Sequence, residues 1–176
     1  FTTGSCPEEK SMIDKYFADT DFLSEVMKVA DANHDGHISV SEAKELTSLD
    51  ISRDVLSIDG LEYFENLRSF TCPGHYIPSY LDLSCLKNLE HLSVPDCKLT
   101  SLNLPEKIKY LDVSNNNLYS LDVGRCPLLE TLDCSENQYL VLLYLLVDNC
   151  IREINCDQTA INILDLTGFS SLQSLV

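Results

Sequence analysis

"KIKYLDVSNNNL", residues 107–118, carries apolar residues at Ile108, Leu111, Val113 and Leu118, with Asn116 between the last two. The Leu111–Val113 pair alternates with period two, which puts both side chains on one face of a short strand. An asparagine three residues on suits a turn, because its amide can bond backbone groups that the turn leaves unpaired. The same spacing recurs upstream in "NLEHLSVPDCKL" (88–99) and downstream in "LLETLDCSENQY" (128–139). Working outward, the central anchors fall at Leu49, Phe70, Leu92, Leu111, Leu132, Ile154 and Leu175, separated by 21, 22, 19, 21, 22 and 21 residues. Chance does not hold such a register seven times, so repetition is the first fact about this chain.

The pattern L-x-x-L-x-L-x-x-N/C-x-L resembles the leucine-rich repeat and covers residues 46–176. The expected fold is an α/β solenoid with one or two parallel sheets, each copy contributing one rung to a continuous core. "YLDLS" (80–84), "SLNLP" (101–105), "SLDVG" (120–124) and "ILDLT" (163–167) read as further strands, with short 3₁₀ turns as the alternative. The turn column reads Asp54, His75, Cys97, Asn116, Asn137 and Thr159, so weaker ladders are expected at His75 and Thr159. Of the eight cysteines, Cys72, Cys97, Cys126, Cys134 and Cys156 fall on repeat positions. They read as small buried hydrophobes with free thiols rather than as a disulfide framework.

Ahead of the repeats, residues 1–47 read as a helical cap and residues 48–176 as a solenoid of six to seven copies of about 21 residues. "CPEEKSMIDKYFAD" (6–19) and "DFLSEVMKVA" (21–30) are helix-like, the second with Asp21 as candidate cap. Between them and "SVSEAKEL" lies "DANHDGHISVSE", residues 31–42, which fits the twelve-residue calcium loop at every fixed position. Asp31, Asn33 and Asp35 would give side-chain oxygens, His37 its carbonyl, Ser39 a water-mediated contact and Glu42 a bidentate carboxylate. Calcium is the expected cofactor. Its role would be structural: the ion braces a helix pair that lids the exposed end of the stack.

The net charge of −16 argues against nucleic acid and anionic membranes as partners. No apolar run reaches the roughly 18 residues of a membrane helix; the nearest is "YLVLLYLLV", residues 139–147. "FTTGSC" (1–6) matches only poorly the tail of a lipoprotein signal, with Cys6 as the lipid-bearing residue. No nucleophile–base pairing, phosphate loop or transition-metal cluster stands out, so no enzymatic activity is expected.

The chain as a whole is similar to secreted or lipid-anchored leucine-rich-repeat proteins of gut anaerobes. In these, EF-hand-like helices run straight into internalin-type repeats, as "DANHDGHISVSEAKELTSLDIS" (31–52) does here. The resemblance implies an exported, non-enzymatic surface protein. A protein or glycan partner is expected on the outward residues around the L-x-L pairs. His91 and Tyr110 are the candidate anchors, with Asp112, Asp133 and Glu153 beside them. Stacked Asp112 and Asp133 need relief of their like charges, by neighbouring hydroxyls and amides rather than by a cation. In 139–147, alignment puts Tyr139, Leu142 and Tyr144 inward and Leu140, Val141, Leu143 and Leu145 outward. Two outcomes stay open: an apolar patch including Leu143 that supports homo-oligomerisation, or a register shift that buries these residues. The array reaches Leu175–Val176 inside a strand, which would offer a bare edge.

Overall fold

The computed structural model describes residues 12–52, 54–74, 77–146 and 150–176. Seven three- or two-residue strands, one per copy, stack in parallel: β1 (Ser48–Asp50), β2 (Ser69–Thr71), β4 (His91–Ser93), β6 (Tyr110–Asp112), β8 (Thr131–Asp133), β10 (Glu153–Asn155) and β11 (Ser174–Leu175). The register follows the repeat: Leu49 faces Phe70, then Leu92, Leu111, Leu132, Ile154 and Leu175. From Leu49 to Ile154 each of these rungs is buried.

The opposite side of each coil carries β3 (Tyr80–Asp82), β5 (Ser101–Asn103), β7 (Ser120–Asp122) and β9 (Leu142–Tyr144). They pair only as β3–β5 and β7–β9. The interruption coincides with the 19-residue copy, whose second half is two residues shorter. "ILDLT" (163–167) forms no strand, and the first coil has a 3₁₀ turn at Leu61–Tyr63.

The asparagine column works as the spacing predicts. Asn116 is 4% exposed, and its Nδ2 donates to the carbonyls of Val94, Val113 and Ser114 at 2.9, 2.9 and 3.1 Å. Its Oδ1 accepts from the N–H of Cys97 (3.1 Å) and Leu99 (2.9 Å). Asn137 repeats this one coil on, between Leu118 N–H and the carbonyls of Val113, Cys134 and Ser135. At the same position Cys97 offers only a thiol, to the carbonyls of Cys72 and Pro95, and Thr159 a hydroxyl to Cys156 O. His75 lies outside the described residues.

A second column was not evident in the sequence. Gly74, Asp96, Asn115, Glu136 and Gln158 all have positive φ, between 51° and 73°. The N–H groups of the first four donate to the next coil's Pro95, Ser114, Ser135 and Asp157. Glycine, aspartate and asparagine suit this left-handed turn, but the stack also imposes it on Glu136 and Gln158, which do not favour it. The residues just before the strands form another row, alternating in charge: Arg68, Glu90, Lys109, Glu130, Arg152. Glu90 takes Arg68 at 2.8 Å and Lys109 at 2.7 Å. These contacts, Lys109 first, hold its carboxyl below the usual carboxylate range.

Two helices precede the stack, α1 (Thr20–Ala30) and α2 (Val40–Glu45). The cap of α1 is Asp19 rather than Asp21. Asp19 accepts from Asp21 and Phe22 N–H, and its other oxygen takes Leu56 N–H from the first coil at 2.6 Å. The segment before α1, expected to be helical, is a 3₁₀ turn at Asp14–Tyr16 within its described part. Phe22, Val26 and Ala43 share one hydrophobic core with Leu49, Phe64 and Phe70. Glu25, 5% exposed, is tied to Ser52 Oγ at 3.0 Å and to Lys28.

The joint is tight at Gly60. Its φ is +100°, and a Cβ there would lie 3.0 Å from three atoms of the Phe17 ring. Gly60→Ala is therefore expected to cost about 1–3 kcal/mol, from backbone strain and overpacking. Chemical denaturation would measure it. An unchanged midpoint would mean that Phe17 is not seated on this coil.

Candidate recognition face and cation loop

Flanking the buried rungs, two outward rows cover the seven-stranded sheet. One reads Ser48, Ser69, His91, Tyr110, Thr131, Glu153; the other Asp50, Thr71, Ser93, Asp112, Asp133, Asn155. His91 and Tyr110 sit opposite each other on β4 and β6, and strand spacing brings their rings into a stack, 4.3 Å between centroids and 10° from parallel. Desolvation, then the nearby Asp112 and Asp133, push the Tyr110 phenol up. Glu153 is exposed in the same row, two strands further on.

Asp112 and Asp133 are satisfied locally. Asp112 Oδ1 accepts from Ser114 N–H (3.1 Å) and Oγ (2.7 Å), and Oδ2 from Ser93 Oγ (3.2 Å). Asp133 Oδ1 accepts from Ser135 N–H (3.0 Å) and Oγ (2.6 Å), and Oδ2 from Asn155 Nδ2 (3.0 Å). Hydroxyls and an amide thus bridge the two acids to their neighbours. Both side chains are held in place by these bonds.

The 139–147 segment corrects the alignment. Its extra residue enters directly after Asn137, so Leu140 rather than Tyr139 becomes the buried anchor. A one-residue slip flips every following side chain. Leu143 and Leu145 pack against the core, while Tyr139, Leu142, Tyr144 and Leu146 are exposed. Leu143 is therefore not an outward contact residue; the apolar surface belongs to its neighbours. Residue 147 lies outside the described residues.

The described cysteines are free thiols. Burial is the main reason that Cys126 is pushed up to about 11 and Cys134 to about 12, and it raises Cys72 as well. None of these three is a nucleophile at neutral pH. Cys6 lies outside the described residues.

The 31–42 loop is folded on itself. Asp31 accepts from Asp35 and Gly36 N–H, Asn33 Oδ1 from Asp35 N–H, and Asp35 Oδ1 from His37 N–H. Gly36, at φ +82°, makes the bend. Glu42 reaches back in a capping box: Oε2 takes Ser39 N–H (2.9 Å) and Oγ (2.6 Å), and Oε1 faces Asn33 N–H at 3.4 Å. Where paired calcium loops lean on each other, this lone loop leans on the chain before α1. Ile13 N–H donates to Ile38 O, Asp14 accepts Ile38 N–H at 2.7 Å, and His37 Nδ1 lies 2.7 Å from Asp14. Among the described residues, no group of three or more His, Cys, Asp or Glu side chains converges closely enough to hold a metal.

No family model matches the chain, and no curated protein does. Among solved structures it is similar to the functional domain of InlJ from Listeria monocytogenes, described as including a cysteine ladder. The TM-score is 0.68 and the identity 28%, over 92% of this chain and 41% of that one. The fold is an internalin-like leucine-rich-repeat solenoid. This chain spans about two fifths of that InlJ domain. Two Listeria monocytogenes internalins also match, InlF (TM-score 0.41, 19% identity, 99% and 72% of the two chains) and internalin C2 (0.43, 15%, 98% and 99%). At those scores they carry no argument. No described helix is long and apolar enough to cross a membrane.

Proposed function

We propose that the chain is a non-enzymatic recognition module of an exported bacterial surface protein. It binds a protein or glycan through the outer face of the seven-stranded sheet. The observation that carries this is the stacked His91–Tyr110 pair, the large aromatic group on a face whose neighbouring acids are already fixed. Rigid aromatic anchors lose little entropy on binding and dominate interface energies. The internalin-like fold supports the reading. Anchoring to a lipid through Cys6 belongs to the same proposal.

The test is capture from host and microbial surface extracts with wild type, with His91→Ala/Tyr110→Ala, and with Ser101→Arg as a control on the opposite side. A ligand retained by the control and lost by the double variant supports the sheet face. A ligand retained by all three contradicts it.

Calcium at the loop is part of this proposal. Asp31, Asn33, Asp35 and Glu42 would supply hard oxygens on turning from the N–H groups they accept from, with the His37 carbonyl and Ser39 completing the set. Gly36 provides the bend such a loop needs, and nothing lies within 4 Å of where its Cβ would be. Bound calcium would brace α1 against α2, and so the lid of the stack. At about a hundredfold excess over Kd the gain is about 2.7 kcal/mol. Thermal melts in calcium and in EDTA should differ accordingly, and Asp31→Asn/Glu42→Gln should erase the difference. Equal melts would remove the ion from the account.

A second reading, self-association, is favoured by the exposed Leu142, Tyr144 and Leu146. Sedimentation of Leu142→Asp/Tyr144→Asp tests it: a wild-type dimer that the variant dissolves supports it, and a wild-type monomer ends it.

A further inference from the structure

Clefts open on the back of the solenoid wherever consecutive coils fail to pair their second strands. One lies between the first coil and β3, and another between β5 and β7. The first measures about 160 Å³, room for one side chain rather than for a drug-sized ligand of roughly 300–1,000 Å³. Its floor is apolar, with Ile58, Leu81 and Leu83 buried beneath it. Its rim carries Asp59, Glu62 and Asp82, and none of the described residues lining it is basic.

The second cleft is an internal comparison. It is lined by Asp122, the counterpart of Asp82, and by Arg125. In the first cleft the place of Arg125 is taken by Cys85, which is exposed. An arginine of the chain itself thus lines one cleft, and none of the described residues lining the other is basic. The rim acids of the first are held ready. Asp82 accepts from Ser84 N–H, Asn103 Nδ2 and Tyr80 OH. Glu62 takes Gly60 N–H with one oxygen. Asp59's carboxylate has no hydrogen bond or ion pair among the described residues.

We propose that this cleft between the first coil and β3 receives one arginine or lysine side chain of a partner polypeptide. The aliphatic stem lies on the apolar floor and the charged head meets the three carboxylates, as such side chains do when they cross from apolar to polar surroundings. This contact is on the opposite side from the His91–Tyr110 pair and stands or falls independently of it.

Cys85 lines the cleft and reports on it, while Cys150, also exposed, serves as control. The full chain is treated with iodoacetamide, and modification of each thiol is followed by mass spectrometry. The probes are acetyl-Gly-Arg-Gly-amide and its neutral citrulline counterpart. The arginine peptide should slow Cys85 about twofold at half-saturation, as occupancy requires, and leave Cys150 unaffected. Citrulline should not protect, and Asp59→Asn/Glu62→Gln should abolish protection. Failure of the arginine peptide to protect Cys85, equal protection by citrulline, or protection that survives in the double variant would each overturn the proposal.

Discussion

Asn116→Ala is expected to destabilise the protein by about 3–5 kcal/mol, and to lower the melting temperature by about 2–4 °C for each of these. From a buried position the amide oxygen accepts from Cys97 and Leu99 N–H, and the two N–H hydrogens are shared among the carbonyls of Val94, Val113 and Ser114. The contacts to Cys97, Leu99 and Val94 tie its coil to the preceding one. Alanine leaves Cys97 N–H and Leu99 N–H without the buried oxygen that accepts from them. Each orphaned buried group costs about 1–3 kcal/mol. The neighbouring Asn117→Ala is the contrast. Asn117 is exposed, and its loss should fall within about 0.5 kcal/mol. Thermal melts of both variants by circular dichroism decide the matter. Equal, small effects would show that the asparagine column does not hold the coils together.

Phe22→Ala should cost about 3–5 kcal/mol as well, from lost apolar burial and the cavity left behind. Phe22 is fully buried against Phe17, with ring centroids 5.5 Å apart, and Phe17 meets Phe64 edge-on at 6.3 Å. This chain of rings runs from α1 into the first coil. The loss is therefore expected to reach the stack: the whole unfolding transition should move, and backbone amides of β1 and β2 should exchange faster. Solenoids do unfold piecemeal when neighbouring units couple weakly. A variant in which the helices melt early while β1 and β2 keep their protection would show that the cap is merely appended.

The rungs of the stack were legible because parallel pairing punishes any slip: shifting one copy by one residue would turn its whole apolar face to water. Leu49, Phe70, Leu92, Leu111, Leu132 and Ile154 accordingly sit where the 21-residue period puts them. The hydrogen-bonding of Asn116 and Asn137 was legible for a related reason, since few side chains can both donate to and accept from a turn. Segment 139–147 was ambiguous because all nine of its residues are apolar. Polarity then says nothing about which alternate set faces inward, and the extra residue has no signature of its own. The positive-φ column was hidden by its composition. Glu136 takes the turn with its N–H on the adjacent coil's Asp157 carbonyl, and neither Glu136 nor Gln158 signals a left-handed turn by residue type. The choice of Asp19 over Asp21 as helix cap depends on Leu56, far away in the chain, which no local pattern reveals. The cleft beside Asp59, Glu62 and Asp82 arises from a missing strand pair, and the sequence of one copy cannot register the absence of a bond between two.

On the proposed recognition face, sequence alone brought His91, Tyr110, Asp112, Asp133 and Glu153 to one sheet surface, and the register does so. What it lacked was the stacking of the two rings and the serine and asparagine bridges that fix the acids. Both are consequences of strand-to-strand spacing rather than of any residue taken singly.

The order of the rungs is open to direct measurement by methyl and aromatic nuclear Overhauser contacts in the labelled full chain. Neighbouring strands about 4.8 Å apart should give an unbroken series linking Leu49 to Phe70, Phe70 to Leu92, Leu92 to Leu111, Leu111 to Leu132, and Leu132 to Ile154. Contacts that skip a copy, or a series that breaks between Leu92 and Leu132, would contradict the continuous stack on which the proposed recognition face is built.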